Sequence, residues 1–82
     1  MLKISIDFND FVDKKELYSF LSKSLDFPDY FSYNLDSLYD ILLDIDLPVK
    51  LIINNKQKFE DIYLTLKDAE KENDNIIINE EA

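Results

Sequence analysis

The sequence LDFPDYFSYNLDSLYD at residues 25–40 holds the end of one predicted helix, a loop and the start of the next helix. Pro28 ends the first helix, because proline disfavours helical backbone at the residue before it. Asn34 is a favourable N-cap, since its side-chain oxygen can accept a hydrogen bond from a backbone N–H of the first turn. Apolar residues then recur at helical spacing and predict a helix from about Leu35 to Asp44. Its predicted inner face consists of Leu35, Leu38, Tyr39, Leu42 and Leu43.

The same helix carries a line of carboxylates. Asp36, Asp40 and Asp44 are four residues apart and therefore share a face. Like charges at this spacing cost about 0.2–0.5 kcal/mol per pair in an isolated helix. The positive end of the helix dipole offsets part of this cost for Asp36 and little of it for Asp44. An acidic face beside the loop aromatics Tyr30 and Tyr33 suits a cationic partner.

Elements on both sides of this stretch predict an α/β fold. Alternating apolar residues at 2–8 predict a strand, and Asp13 begins a helix that ends at Pro28. Branched residues at 49–53 predict a second strand, a helical pattern runs from about Lys56 to Glu72, and residues 76–78 form a third strand. The order β-α-α-β-α-β predicts one small two-layer domain over residues 1–82, with a three-stranded parallel sheet packed with helices.

The chain contains no glycine, so turns that need a positive φ must use other residues. We expect asparagine or aspartate to supply them, and Asn73–Asn75 to provide the left-handed residue after the third helix. The continuous apolar run Ile76–Ile78 is typical of a strand covered on both faces.

Composition excludes several classes of function. The net charge is −9, all nine bases are lysines, and histidine and cysteine are absent. An acidic surface repels nucleic acid and anionic membranes, so we expect neither as a partner. The usual zinc ligands and the usual general base are missing, so we expect no metal and no cofactor. No apolar signal segment or membrane span is present, and a cytoplasmic protein, monomeric when free, is expected.

Three kinds of function remain open on the residues alone. Asp36 and Asp40 could serve as paired catalytic carboxylates of a hydrolase. Such a pair needs an enclosed cleft, and a small two-layer domain offers little concave surface, so we do not expect an enzyme. The acidic surface could also be a general interaction module, or could bind one particular basic protein.

The loop and helix motif resembles the barstar family. The resemblance rests on Pro28-Asp29-Tyr30-Phe31 followed by Asn34-Leu35-Asp36-Ser37-Leu38-Tyr39-Asp40. Barstar-like proteins are small intracellular inhibitors of secreted ribonucleases of the barnase type. The resemblance therefore implies the predicted element order, a basic ribonuclease as partner, and inhibition without catalysis. The family usually has a further short helix after the second strand, for which the interval from Ile53 to Phe59 is too short here.

The resemblance also implies a role for particular residues. Asp40 is similar to the family's deep phosphate mimic, and Asp36 to its second carboxylate. Tyr30 is similar to the loop aromatic that stacks on the nuclease imidazole, while Asn34 caps the helix beside the partner. Tyr39 stands where a tryptophan is frequent. The resemblance also implies that two flanking acids of the third helix, Asp68 and Glu72, bind the partner. Ser32 stands at a position that is frequently glycine, where a positive φ would strain it.

Overall fold

The computed structural model describes residues 1–81 and has the predicted order of elements. The strands are β1 (Leu2–Asp7), β2 (Val49–Asn54) and β3 (Ile76–Glu81). The helices are α1 (Lys14–Ser24), α2 (Leu35–Leu43) and α3 (Glu60–Glu72). Short 3-10 helices at Phe8–Asp10 and Lys56–Phe59 follow β1 and precede α3. The third helical segment thus begins at Lys56 as predicted, but its first turn is a separate 3-10 helix. The interval after β2 that we considered too short for a helix therefore contains one 3-10 turn.

The three strands form one parallel sheet in the order β1-β2-β3. Both crossovers step in the same direction across this sheet, so right-handed connections place their helices on one face. The burial of β2 agrees, because Val49, Leu51 and Ile53 are buried whereas the alternate residues are only partly buried. The predicted small α/β fold with a parallel sheet is confirmed.

The core lies between this sheet face and the helices. Its fully buried side chains come from every layer, namely Ile6, Phe8, Leu17, Leu21, Leu38, Leu42, Leu51, Ile53, Ile62 and Leu66. Helix α2 packs against α3, and the position of α2 is therefore fixed by contacts along its inner face. No helix within residues 1–81 is both long enough and apolar enough to cross a bilayer.

Two predictions about apolar residues were wrong. Ile77 is 36% exposed and β3 alternates between buried and exposed residues, so β3 is covered on one face only. The reason is that both crossovers lie on the same side of the sheet. Leu43 is 37% exposed, and Ile41 is buried in its place. Ile41 and Leu38 share a face at i,i+3, which turns Leu43 outward.

The positive-φ positions agree with the prediction at two residues and differ at a third. Within residues 1–81, Asn55 (φ 59°) and Asp26 (55°) take the left-handed conformation as expected, whereas Tyr33 (52°) does so without being asparagine or aspartate. Asn73 caps α3 in an extended conformation with φ −136°, so it is not the expected left-handed residue. Its side chain has a different task.

Asn73 joins the C-terminal ends of α2 and α3. Its amide nitrogen Nδ2 donates to the carbonyl oxygens of Leu42 and Ile45, each at 2.9 Å. Its Oδ1 accepts the backbone N–H of Asn75 at 3.0 Å. Asn73 is only 9% exposed, so these bonds satisfy carbonyls that water does not easily reach.

Asn73→Ala is expected to lower the free energy of unfolding by about 1–3 kcal/mol, because it removes the hydrogen bonds of a buried amide to the carbonyl oxygens of Leu42 and Ile45 and to the backbone N–H of Asn75. Urea denaturation of the variant and the parent measures this loss. Asn79→Ala is the matched control, since Asn79 is an exposed strand residue. Equal losses in the two variants would contradict the role assigned to Asn73.

Glu70 links α3 to β3. Its carboxylate accepts the backbone N–H of Ile78 at 2.7 Å and pairs with Lys67 Nζ at 2.8 Å. Burial alone would raise the pKa of Glu70, but these two hydrogen bonds outweigh burial and hold its pKa below the ordinary 4.5. The charged form of Glu70 therefore stabilises the folded state.

Stability is expected to fall on the acid side and to stay level through neutral pH. The pKa values of Asp7, Asp61 and Glu70 are lower in the folded protein than the unfolded values of 3.8 and 4.5. These three groups therefore add to the free energy of unfolding above the unfolded pKa values, and this stabilisation is lost as the pH falls through the folded pKa values. The pKa values of Tyr18 and Lys67 are raised, so their contribution is complete below the unfolded values of 10.0 and 10.5 and is lost only above them. Urea denaturation from about pH 3 to about pH 9 checks this profile. A step near pH 6.5 would contradict it, because the chain has no histidine.

Candidate protein-binding surface

The loop between α1 and α2 is anchored by aromatic side chains. Phe27 and Phe31 are buried and meet edge-to-face, with ring centroids 5.1 Å apart. Phe31 also meets the ring of Tyr18 on α1 at 5.6 Å and that of Tyr33 at 5.1 Å. Each such pair contributes about 0.5–1.5 kcal/mol beyond simple burial. The loop is therefore held on the core before any partner arrives.

Hydrogen bonds fix the end of this loop onto α2. Asn34 Oδ1 accepts the backbone N–H of Ser37 at 2.8 Å, which is the predicted N-cap bond. Asn34 Nδ2 donates to the carbonyl oxygen of Ser32 at 3.3 Å. The backbone N–H of Ser32 in turn donates to Ser37 Oγ at 3.1 Å, and Ser32 Oγ donates to the carbonyl oxygen of Tyr30 at 3.2 Å. Loop and helix thus form one hydrogen-bonded unit.

The loop contains two left-handed residues, Asp26 and Tyr33, and Tyr33 is the one that is not asparagine or aspartate. Its φ of 52° lies in the left-handed region, whereas Ser32 is not among the positive-φ residues. The backbone strain that we expected at Ser32 therefore occurs at Tyr33, one residue later in the loop. A left-handed conformation costs a non-glycine residue about 1–2 kcal/mol. Ring contacts of Tyr33 with Phe31 and with Tyr18, the latter at 6.1 Å, offset this cost.

Asp36 and Asp40 project from the outer face of α2. Both are exposed, while Leu38, Ile41 and Leu42 fill the inner face. Neither carboxylate belongs to any of the three ion pairs found within residues 1–81. Two unpaired charges one helical turn apart thus stand on a helix that is fixed by its cap and its core contacts.

An open groove of about 970 Å³ lies beside the N-terminus of α2. Asn34 and Asp36 line it together with the neighbouring Tyr33, so the structure brings these three side chains together. The facing wall holds Lys14 and Lys15 of α1 and Asp61 of α3. Lys14 hydrogen-bonds to Asp61 and, with the backbone N–H of Ile62, lowers the pKa of that carboxyl. Burial raises the pKa of Tyr18, which also lines this groove.

The other predicted residues lie outside this groove. Tyr30 is 72% exposed at the loop, and Asp40 is exposed one turn along α2. Tyr39 is partly buried and packs against the core. Asp68 and Glu72 are exposed on α3, four residues apart and hence on one side of that helix. The two helices that carry the predicted acids, α2 and α3, pack against each other and lie in the same helical layer.

Sequence reasoning missed the left-handed backbone of Tyr33 and the contact between Asp61 and Lys14. Nothing in the local sequence marks Tyr33 as left-handed, because asparagine and aspartate are the usual non-glycine residues there. Asp61 meets Lys14 across 47 positions of the chain, which is a tertiary contact without a local signal. Within residues 1–81 no group of three acids is placed to hold a metal ion.

This fold and surface define a class of small α/β domain, in which a helix with exposed carboxylates stands on one face of a three-stranded parallel sheet. Residues 1–78 match the family described as "Barstar (barnase inhibitor)", and the chain belongs to this barstar family.

A relative from Bacillus subtilis (strain 168) carries the name "Putative ribonuclease inhibitor YrdF". It is 46% identical to this chain over 56 residues, which cover 67% of this chain and 62% of the relative. The chain thus matches less than two thirds of the length of that curated relative.

Proposed function

We propose that this protein inhibits a basic ribonuclease of the barnase type by blocking its active site with carboxylates of α2. The observation that carries the proposal is the exposed, unpaired Asp36–Asp40 pair on a helix fixed by its Asn34 cap. An enzyme that binds RNA phosphates must present cations, and a carboxylate on a rigid helix can occupy a phosphate position. Membership of the barstar family and the name of the Bacillus relative support this function.

Each residue of the surface has a proposed role. Asp40 enters the active site as the deepest phosphate mimic, and Asp36 pairs with further basic groups of the nuclease. Tyr30, exposed at the loop, stacks on the nuclease's catalytic imidazole. Asn34 holds the N-terminus of α2 at the contact, and the partly buried Tyr39 presents its hydroxyl edge.

The two acids of α3 extend the contact. Asp68 and Glu72 are exposed on a helix that packs against α2, so they can meet basic residues at the rim of the nuclease cleft. Rim charges contribute mainly to the association rate. We further propose that residues 1–82 act as a single domain, and that the inhibitor acts in the cytoplasm, where it protects the cell from the nuclease.

Preorganisation supports tight binding by this surface. The loop is anchored by Phe27 and Phe31, and the start of α2 is closed by the Asn34–Ser37 bond. Binding then requires little ordering of backbone, and ordering is one of the main costs of association.

Pull-down with the immobilised protein from a panel of purified barnase-type ribonucleases tests the proposal. At least one member is expected to bind with one-to-one stoichiometry, measured by calorimetry. The double variant Asp36→Asn/Asp40→Asn should lose this binding, whereas Asp10→Asn/Glu60→Gln, which removes two exposed charges elsewhere, should keep it. Absence of binding across the panel would instead favour an acidic interaction module without a nuclease partner.

A further inference from the structure

A second groove, of about 420 Å³, lies where the C-terminal ends of α1 and α2 meet the N-terminal end of β2. Its apolar lining includes the buried side chains of Phe27, Ile41 and Val49. Leu47, which is 71% exposed, stands at its edge. Ligand pockets span roughly 300–1,000 Å³, so this groove can enclose a side chain of a partner.

Three carboxylates line this groove, those of Asp26, Asp44 and Asp46, and no lysine does. None of the three belongs to an ion pair formed within residues 1–81. The groove at the N-terminus of α2 differs, because Lys14 and Lys15 balance its two carboxylates. The lining of the C-terminal groove therefore carries three negative charges and no positive one.

The C-terminal end of α2 adds to this negative potential, whereas the last turn of α1 contains Lys23. The C-terminus of a helix carries a partial negative charge and favours cations. Helix α2 has no basic residue in its last turn, and its C-cap is itself an acid, Asp44. An apolar lining under an acidic rim matches a side chain with an alkyl stem and a cationic head, because the stem is buried while the head stays at the rim.

We propose that this groove binds a basic side chain, arginine or lysine, of a protein partner. The alkyl stem packs on Phe27, Ile41 and Val49, and the charged head meets Asp26, Asp44 and Asp46. The contact lies beyond the Asp36–Asp40 face and gives the protein a second, separate point of recognition for a basic protein.

Titration of the ¹⁵N-labelled protein with n-butylguanidinium, followed by amide chemical shifts, tests this proposal. Saturable shifts are expected at groove residues such as Ile45 and Leu47. The neutral isostere n-butylurea should bind at least threefold more weakly, because it lacks the positive charge that the three carboxylates attract. n-Butylammonium distinguishes a lysine-type from an arginine-type preference. Because the probe is a small cation, the outcome is independent of whether a ribonuclease binds α2.

The variant Asp26→Asn/Asp46→Asn should weaken n-butylguanidinium binding at least threefold. Asparagine tolerates the left-handed backbone of position 26, so the loop is retained. Asp10→Asn/Glu60→Gln removes two exposed charges elsewhere and should leave the affinity unchanged. Absence of saturable groove shifts would overturn the proposal, as would equal affinity for n-butylurea or equal weakening by both double variants.

Discussion

Asp40→Ala is expected to weaken the nuclease complex by about 30-fold to several thousand-fold, chiefly through faster dissociation. Removal of Asp40 leaves the cations that faced it desolvated and unpaired. Truncating one partner of a buried charge pair costs about 2–5 kcal/mol of binding free energy. A complex of this family is one of the systems in which such costs were established, so this magnitude is not an independent prediction. The free protein should keep its stability, because Asp40 is exposed and forms none of the ion pairs within residues 1–81.

Asp44→Ala is the matched control for this change. Asp44 carries the same charge on the same line of α2, but it caps the C-terminus of the helix, where its charge opposes the dipole. Its removal should change the affinity by less than about tenfold, as for a rim charge. Dissociation constants and thermal melts of both variants decide the matter. Equal losses of affinity would reduce the role of α2 to general electrostatics.

The association rate of the complex is expected to fall by about tenfold or more when the ionic strength rises from about 0.01 M to about 0.15 M. Steering by complementary charge raises association rates by about 10–10³, and a barstar-family complex is one of the systems from which this range comes. The physical reason is the net charge of −9, which acts over a screening length that shrinks from about 30 Å to about 8 Å across this range. Stopped-flow mixing at several salt concentrations measures the rate.

A comparison of Asp68→Asn with Asp10→Asn locates the steering surface. Both changes remove one exposed carboxylate, but only Asp68 lies on a helix packed against α2. Asp68→Asn should reduce the association rate at low salt more than Asp10→Asn does. A rate that does not respond to salt would show that the carboxylates do not steer the encounter.

Local signals predicted the parts of the fold that depend on short stretches of sequence. The Asn34 cap and the Asp13 cap are present, with bonds of 2.8 Å to the Ser37 N–H and 3.0 Å to the Glu16 N–H. Such bonds join residues three apart, so residue type and spacing nearly determine them. The element order and the parallel sheet followed from periodicity in the same way.

Features that depend on tertiary packing were not predictable. Leu43 and Ile41 fit a helical pattern equally well, and only the position of α2 against α3 decides which one is buried. The left-handed Tyr33 is stabilised by rings that meet only in the folded protein. Asn73 was expected to serve a turn, but its buried amide joins α2 to α3.

The candidate site likewise has a part that local sequence predicted and a part that depends on tertiary packing. Asp36 and Asp40 were predicted from spacing on one helix, and the structure places both on its exposed face. The acid-rimmed groove could not be predicted, because Asp26, Asp44 and Asp46 line one groove only when the ends of α1 and α2 meet β2.

Titration of ribonuclease activity tests the central claim most directly. A barnase-type enzyme from the panel that binds the protein is held at a fixed concentration, and cleavage of a fluorogenic RNA is followed as the protein is added. Activity is expected to fall linearly to zero at one equivalent, and Asp36→Asn/Asp40→Asn should abolish this endpoint. Undiminished RNA cleavage in the presence of excess bound protein would contradict the account, because a partner that leaves the active site open is not inhibited by phosphate mimicry.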